Sequence, residues 1–274
     1  MRPLRVALIQ TRTPASQGAA LEHTAPLIEQ AAAGGAQFIL TPEGSNLLQR
    51  SKRQFAETAV EAEHDVFVQG VRNLAKDKGV TVLIGSALVK RPDGLYANRS
   101  MLVLPDGQIA ATYDKIHMFN VDLPTGETHR ESALYAPGER AVLADAAFAK
   151  VGLTICYDVR FPHLYRALSR AGAEILTVPA AFTVPTGQAH WLTLLRARAI
   201  ENGAFVLAPA QGGAHEDGRS TFGRSVAIAP WGEVLALADH DAPDVLFADL
   251  DLDAVAKARA AVPNLINGRE FAGP

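Results

Sequence analysis

Short apolar runs rich in β-branched residues alternate with amphipathic segments along the chain, and this alternation limits the possible folds more than any other feature. RVALIQ (5–10) and QFILT (37–41) predict buried strands. An Ala-rich segment between them predicts a helix over residues 17–33, and apolar residues at helical spacing predict a later helix that ends at Gly79. Helices placed between strands favour a layered α/β fold.

Two further segments, residues 99–113 and 225–238, predict hairpins. Hairpin strands are antiparallel, so we expect mixed rather than wholly parallel sheets. About nine or more strands are predicted in all, which favours two packed sheets with outer helices over one sheet. Neither an internal repeat nor a linker-like segment interrupts the sequence, so we expect a single domain over residues 1–274.

The composition is typical of a globular protein, with 48% apolar and 20% charged residues. A net charge of −3 without Lys/Arg blocks argues against nucleic-acid and membrane partners. The single cysteine cannot form an internal disulfide, and the apolar run near the N-terminus is short for a signal peptide, which favours a cytoplasmic location. The eight histidines show no metal-ligand spacing, so we expect no metal site.

Three predicted strands lead into residues that could take part in catalysis. Glu43 follows QFILT, Lys115 follows the first hairpin, and Cys156 is expected to be the last residue of a strand over 150–156. Catalytic groups in layered α/β folds commonly lie just past strand ends. Taken singly, each has an ordinary explanation: a solvated turn residue, a surface lysine and a small buried side chain.

Together, a carboxylate, an ammonium group and a thiol form a working catalytic set. A thiol has a pKa of about 8.5, so little of it is thiolate near neutral pH. A nearby carboxylate can accept the thiol proton as a general base. A lysine can keep that carboxylate ionised and then stabilise a tetrahedral oxyanion, a contribution of about 2.7–4 kcal/mol per donor. The set therefore suits nucleophilic attack on a carbonyl carbon.

The motifs around these residues, TPEGSN, YDKIHMFNVD and GLTICYDVRFP, resemble those of the nitrilase superfamily of carbon–nitrogen hydrolases in type, order and spacing, and the resemblance covers nearly the whole chain. It implies a four-layer αββα sandwich with two mixed β-sheets flanked by helices, and an amidase that needs no cofactor. It also implies that Glu43 is the general base, that Lys115 supports the oxyanion and that Cys156 attacks the amide carbon. The backbone N–H of Tyr157 would be a second oxyanion donor. Ammonia would leave, and water would then hydrolyse the thioester.

Members of this superfamily carry a second glutamate between the lysine and the cysteine. RESALYAPG resembles the motif that contains it, which assigns the role to Glu131. Glu127 lies four residues earlier and remains an alternative.

CYDVRFP and TGQAHW are most similar to the Nit branch, which comprises deaminated glutathione amidases and ω-amidases. That similarity implies a small amide substrate that carries a carboxylate, with Arg160 as its receptor and with Phe182 and Thr186 lining the pocket. Arg160 could instead pair with Asp158 or with a surface acid, and Phe182 could be ordinary core.

Several functional alternatives remain at this stage. Deaminated glutathione amidase activity is favoured, and an ω-amidase for 2-oxo acid monoamides or an N-carbamoyl amino acid hydrolase would use the same chemistry. A catalytically silent binding or scaffold member of the superfamily is the alternative of a different class. The resemblance also implies a homodimer formed through the helices after Cys156 and around residues 190–202.

Overall fold

Two six-stranded β-sheets lie at the centre of the computed structural model, which describes residues 1–123 and 126–273. The strands, numbered in chain order, are β1 Pro3–Gln10, β2 Phe38–Leu40, β3 Thr81–Lys90, β4 Tyr96–Val103, β5 Ile109–Asp114, β6 Asn120–Asp122, β7 Thr128–Arg130, β8 Val142–Asp145, β9 Lys150–Leu153, β10 Ile175–Thr177, β11 Phe205–Ala208, β12 Gly212–Ala214, β13 Ser220–Phe222, β14 Val226–Ile228, β15 Val234–Leu237 and β16 Asp244–Asp251. The α-helices are α1 Gln17–Ala33, α2 Lys52–Thr58, α3 Val66–Lys78, α4 Pro162–Arg170, α5 Val184–Asn202, α6 Asp253–Ala261 and α7 Asn264–Asn267. Two 3-10 helices cover Glu131–Ala133 and Cys156–Arg160.

Both sheets combine parallel and antiparallel pairs, as the hairpins predicted. The first has the strand order β16-β1-β2-β3-β4-β5, and the second has the order β15-β14-β11-β10-β9-β8. β1, β2 and β3 are parallel to one another in the first sheet, as are β9, β10 and β11 in the second. The strands that flank these central ones pair with them antiparallel, and β5 and β15 extend the sheets by antiparallel pairs with β4 and β14.

The side-chain pattern of β1 shows how the layers stack. Val6 and Leu8 belong to the core that lies between the two sheets, whereas Ala7 and Ile9 pack with α1 and α3. Helices α4 and α5 add their buried faces to the second sheet on its other side. The order of layers is therefore helices, sheet, sheet, helices, and the predicted αββα sandwich is confirmed.

The prediction for the strand before Cys156 was wrong at its end. β9 stops at Leu153, and Cys156 begins a 3-10 helix instead of ending the strand. The Ile155 N–H donates to the Asp158 carboxylate at 2.9 Å, so a side chain takes the backbone group that would otherwise continue the strand ladder. The apolar pattern continues past the point where the strand ends, which is why it misled the prediction.

Several short elements were not predicted, and three of them border the functional region described below. These are α2 and the two-stranded ribbons β6–β7 and β12–β13. Helix α5 also begins six residues earlier than expected, at Val184, with Pro185 in its first turn. No helix within residues 1–123 and 126–273 is long and apolar enough to cross a membrane.

Candidate active site

Glu43 and Lys115 come together from loops of the first sheet. Glu43 follows β2 and Lys115 follows β5, and the Lys115 Nζ atom lies 2.9 Å from the Glu43 Oε1 atom. Only 2% of the lysine side chain and 10% of the glutamate side chain are exposed. An ion pair this deeply buried needs further hydrogen bonds to offset its desolvation, and both partners have them.

Glycine at position 85 allows the Glu43 loop to lie against β3. A Cβ atom on Gly85 would fall 1.8 Å from the carbonyl oxygen of Thr41, so a larger residue would displace the loop. Ser86 then fixes the loop, because its hydroxyl accepts from the Gly44 N–H at 2.9 Å and its backbone N–H donates to the Pro42 carbonyl at 3.0 Å. The position of Glu43 therefore depends on two small residues of a neighbouring strand.

Glu131 is the second carboxylate on Lys115. Its two carboxylate oxygens lie 2.8 and 3.0 Å from Lys115 Nζ, and it also accepts the Phe119 N–H at 2.6 Å. Glu127 is 53% exposed, and its Oε2 atom is 4.0 Å from the His129 ring. The geometry thus favours Glu131 over Glu127 as the second glutamate of the cluster.

Asn98 is a member of the cluster that sequence reasoning missed. Its Nδ2 group donates to Glu43 Oε1 at 2.9 Å and to Glu131 Oε1 at 3.2 Å, and the residue is 3% exposed. The Ala181 N–H orients the other Glu43 oxygen, at 2.9 Å. The run of three polar residues in the strand YANRSMLV was the signal that could have revealed it, since buried polar groups are hydrogen-bonded.

Glu43 is held in its ionised form. Burial alone would raise the pKa of its carboxyl group, but the charge of Lys115 and hydrogen bonds from Cys156, Lys115 and Asn98 outweigh that effect and lower the pKa. The two carboxylates in turn raise the pKa of Lys115 well above its usual value, against the opposing effect of burial. A base and a permanent cation therefore lie side by side.

Cys156 lies next to this pair as a neutral thiol. Burial raises the pKa of its thiol well above the usual value, and the negative charge of Glu43 raises it further, whereas Lys115 acts in the opposite direction. The side chain is 7% exposed, and it is a free cysteine. The thiol therefore keeps its proton at neutral pH while an ionised base stands beside it.

The backbone of Cys156 adopts an unusual conformation. Its φ angle is 49°, in the left-handed region that favours glycine, and its N–H donates to the Pro179 carbonyl at 2.9 Å. Asp158, fully buried two residues later, accepts from the Ile155 N–H at 2.9 Å and from the Tyr113 hydroxyl at 2.7 Å. These bonds hold a strained residue in place, and such strain is concentrated at functional sites.

A cavity of about 580 Å³ opens over the cluster, a size typical of small-molecule sites. Glu43, Lys115, Glu131 and Cys156 all line it. The predicted substrate residues Tyr157, Phe182 and Thr186 line it as well. Phe182 also packs on Trp191 with 4.8 Å between ring centroids, so this residue belongs both to the core and to the wall of the cavity.

Arg160 is not among the residues that line this cavity. Its guanidinium lies 5.9 Å from the centroid of the Tyr157 ring and 5.7 Å from that of Phe182, and its Nη2 atom is 3.2 Å from His190 Nδ1. The alternative of an Arg160–Asp158 ion pair was wrong, because the Asp158 carboxylate binds Tyr113, Ile155 and His117 instead.

Three other arginines line the cavity, and sequence reasoning did not single them out: Arg50, Arg130 and Arg219. They come from elements too short to be predicted from the sequence pattern, at or beside α2, β7 and β13.

Away from the cavity, Glu61, Glu63 and His64 are close enough to share a cation, but mostly exposed acidic groups often cluster without one. Chemically, the cluster can activate a thiol and stabilise an oxyanion without a metal.

The sequence matches the carbon–nitrogen hydrolase family over residues 5–260. The chain belongs to the carbon–nitrogen hydrolase family. It is 38% identical over 270 residues to a deaminated glutathione amidase of Synechocystis sp., covering 97% of this chain and 98% of that one. It is 34% identical over 263 residues to an ω-amidase of Bos taurus, covering 96% of this chain and 94% of that one.

Solved structures of carbon–nitrogen hydrolases share the fold. The NitFhit protein of C. elegans superposes with a TM-score of 0.90 at 31% identity, covering 97% of this chain and 65% of that one. An amidase variant from Nesterenkonia sp. superposes with a TM-score of 0.77 at 27% identity, covering 95% of this chain and 98% of that one. That amidase carries acrylamide added at its active-site cysteine. The predicted superfamily, nitrilase fold and enzyme class are confirmed, and the catalytically silent alternative is set aside.

Proposed function

We propose that this carbon–nitrogen hydrolase is a cysteine amidase that cleaves a small carboxylate-bearing amide through a thioester on Cys156. The observation that supports this most directly is the buried cluster of Glu43, Lys115 and Glu131, with Cys156 beside it and the cavity above. In this cluster a neutral thiol adjoins an ionised base, and a lysine held by two carboxylates faces the same cavity.

In the first step the Cys156 sulfur bonds to the amide carbon while its proton moves to Glu43. Because the pKa of the thiol is raised and that of Glu43 is lowered, the free thiolate is a minor species before substrate binds. Proton transfer therefore accompanies attack instead of preceding it.

The electron pair of the carbonyl π bond moves to oxygen, and this oxyanion needs preorganised donors. Lys115 supplies one, since its ammonium group is charged and is oriented by Glu43 and Glu131. Tyr157 supplies the other from its backbone N–H. It is the second residue of a 3-10 helix, at the end where N–H groups have no acceptor within the helix.

The tetrahedral intermediate collapses when the carbon–nitrogen bond breaks and the nitrogen takes the proton from Glu43. Water then attacks the thioester and gives a proton to Glu43, and a second oxyanion forms at the same donors. Breakage of the carbon–sulfur bond returns this proton to the thiol. The net reaction is amide plus water to carboxylic acid plus amine, and each proton passes through one carboxylate.

The relatives favour a 2-oxo acid as the acyl part of the substrate. Deaminated glutathione is the 2-oxoglutaryl amide of cysteinylglycine, whereas the ω-amide of 2-oxoglutarate has an unsubstituted nitrogen. The ammonia expected from sequence applies only to the second substrate, because hydrolysis of the first releases the dipeptide amine. Both release 2-oxoglutarate, and we favour deaminated glutathione because the cavity is larger than a five-carbon amide needs.

The test is to measure 2-oxoglutarate release from both substrates by the purified protein, alongside acid release from N-carbamoyl amino acids. We expect the highest kcat/KM with deaminated glutathione. Faster turnover of 2-oxoglutaramate would identify an ω-amidase, and faster turnover of an N-carbamoyl amino acid would identify that hydrolase. Turnover of none would contradict the substrate class.

The proposal includes a homodimer formed through α4 and α5. Leu192 and Ile200 of α5 are 36% and 51% exposed. Trp231 is 58% exposed, and the next residue, Gly232, lies against the Ile200 side chain. Exposed apolar groups on one side of a molecule favour self-association. We expect the parent protein to sediment as a dimer and the Ile200→Glu variant to sediment as a monomer.

We also propose a cytoplasmic location, which the lone free cysteine supports.

A further inference from the structure

Arg219 is a preorganised cation in the wall of the cavity. It lies in the turn before β13, and its Nε atom donates to Asp217 Oδ2 at 2.7 Å while its backbone N–H donates to Oδ1 at 3.1 Å. The Asp217 side chain is only 1% exposed, so the carboxylate that holds the guanidinium is itself fixed. The arginine side chain remains 31% exposed on the cavity side.

The terminal nitrogens of Arg219 remain available for a ligand. Within residues 1–123 and 126–273, the Arg219 side chain makes its hydrogen bond through Nε, so its two Nη groups have no partner there. An arginine fork binds a carboxylate through two parallel hydrogen bonds. Arg50 is exposed, lines the same cavity and adds a second positive charge.

Tyr135 and His129 connect the arginines with the catalytic cluster, because both line the same cavity as Arg219 and Arg50. The Tyr135 N–H donates to the Glu131 carbonyl at 3.0 Å, which places this residue beside the cluster. Burial lowers the pKa of His129, nearby acidic groups raise it, and Arg50 and Arg219 lower it again, in agreement with two cations that share this cavity with the ring.

The leaving nitrogen must lie beside these same carboxylates. Glu43 gives its proton to that nitrogen, and Glu131 shares Lys115 and Asn98 with Glu43. A substituent on the nitrogen would extend into the cavity that Tyr135, Arg219 and Arg50 also line.

We propose that Arg219 and Arg50 form a binding site for a carboxylate on the amine leaving group. The site would select amides whose nitrogen belongs to an amino acid or a short peptide over simple primary amides. This inference rests on the proposed amidase function and adds a specificity site for the leaving group.

Arg130 provides a matched control in the same wall. Its Nη1 atom donates to the carbonyls of Val121 and His129 at 2.9 and 2.8 Å, and its Nη2 atom binds Asp122 at 2.7 Å. Its terminal nitrogens are already occupied, so its removal changes the charge of the cavity without removing a free fork.

The experiment compares three amides with one 2-oxoglutaryl group: deaminated glutathione, the same compound with a C-terminal glycinamide, and 2-oxoglutaramate. For Arg219→Gln and Arg50→Gln we expect kcat/KM on deaminated glutathione to fall by about tenfold, since a charged hydrogen-bonded pair is lost. The glycinamide compound and 2-oxoglutaramate should change by less than about twofold in these two variants, whereas Arg130→Gln should affect all three amides alike. Unchanged turnover of 2-oxoglutaramate also shows that the variants fold.

The inference would be overturned if Arg219→Gln and Arg50→Gln lost kcat/KM equally on all three amides, or lost it on none. If the wild-type protein hydrolyses 2-oxoglutaramate but not deaminated glutathione, the amidase function stands and the leaving-group site is wrong. If it hydrolyses neither, the proposed substrate class fails, and the inference fails with it.

Discussion

The hydroxyl of Tyr113 donates a hydrogen bond to the buried Asp158 carboxylate at 2.7 Å, and this bond joins the first sheet to the 3-10 helix that begins at the nucleophile. Tyr113 is the buried residue of β5 in the first sheet, whereas Asp158 follows β9 of the second. Because Asp158 also binds the Ile155 N–H, the bond links the loop that carries Lys115 to the backbone of Cys156.

We expect Tyr113→Phe to lower both stability and kcat. The substitution removes the buried bond to the Asp158 carboxylate and the bond that the hydroxyl accepts from the Ile116 N–H at 3.2 Å. Their loss should reduce the free energy of unfolding by about 1–3 kcal/mol, measured in urea. Tyr165→Phe is the matched control, because that buried hydroxyl bonds Thr154 at 2.6 Å instead. The control should lose stability with little change in kcat, and equal losses of kcat in both variants would show that the Tyr113 bond has no positioning role.

Glu43→Gln should abolish most of the turnover. A glutamine at this position cannot accept the thiol proton, and the loss of a general base typically costs about 10²–10⁴-fold in rate. The pKa of the Cys156 thiol should fall at the same time, because the negative charge that helps to raise it is gone. A steady-state assay would show the loss of turnover, and thiolate absorbance, read against Cys156→Ala as a blank, would show the lower thiol pKa. An unchanged thiol pKa would contradict the assigned electrostatics.

Glu131→Gln and Glu127→Gln form a pair that tests the choice of second glutamate. Glu131→Gln removes one of the two charges on buried Lys115, so kcat should fall by about tenfold or more. Glu127→Gln changes a half-exposed side chain and should leave kcat within about twofold. The reverse order of effects in a steady-state assay would assign the role to Glu127.

The pH dependence follows from the sign of the Glu43 shift. Its pKa is lowered from 4.5 in the folded protein, so the base stays ionised as the pH falls from neutral to the usual carboxyl range. The profile of kcat/KM should stay flat down to about pH 5 and decline only below it. The stability contributed by this ionised carboxylate is present above pH 4.5 and is lost as the pH falls through the lowered pKa. A kcat/KM profile whose acid limb is centred near neutrality would mean that burial outweighs the charge of Lys115 and that the pKa of Glu43 is raised.

The catalytic residues could be anticipated because each lies where a strand pattern stops. Glu43, Lys115 and Cys156 follow β2, β5 and β9, and their residue types already define a chemistry. Asn98 and Asp158 could not be anticipated in the same way, since their partners Glu43 and Tyr113 lie 55 and 45 residues away along the chain. The first contact depends on the order of strands within one sheet and the second on how the two sheets stack, and local patterns encode neither.

Side-chain direction and short elements account for the remaining differences. Arg160 follows the nucleophile as expected, yet its guanidinium turns toward the rings of Tyr157 and Phe182. The ribbon that places Arg219 in the cavity has strands of only three residues, too short for a period of two to be recognised. The general chemistry and part of the cavity wall could therefore be predicted from sequence, whereas the arginines of that wall could not.

The central claim is that Cys156 forms a thioester with the acyl part of the substrate. The chain has one cysteine, so an acyl adduct seen by mass spectrometry after rapid acid quench can be assigned to a single thiol. We predict a mass increase equal to the 2-oxoglutaryl group on the peptide that contains Cys156, together with loss of adduct and turnover in Cys156→Ala. Turnover by Cys156→Ala at the wild-type rate would contradict the mechanism.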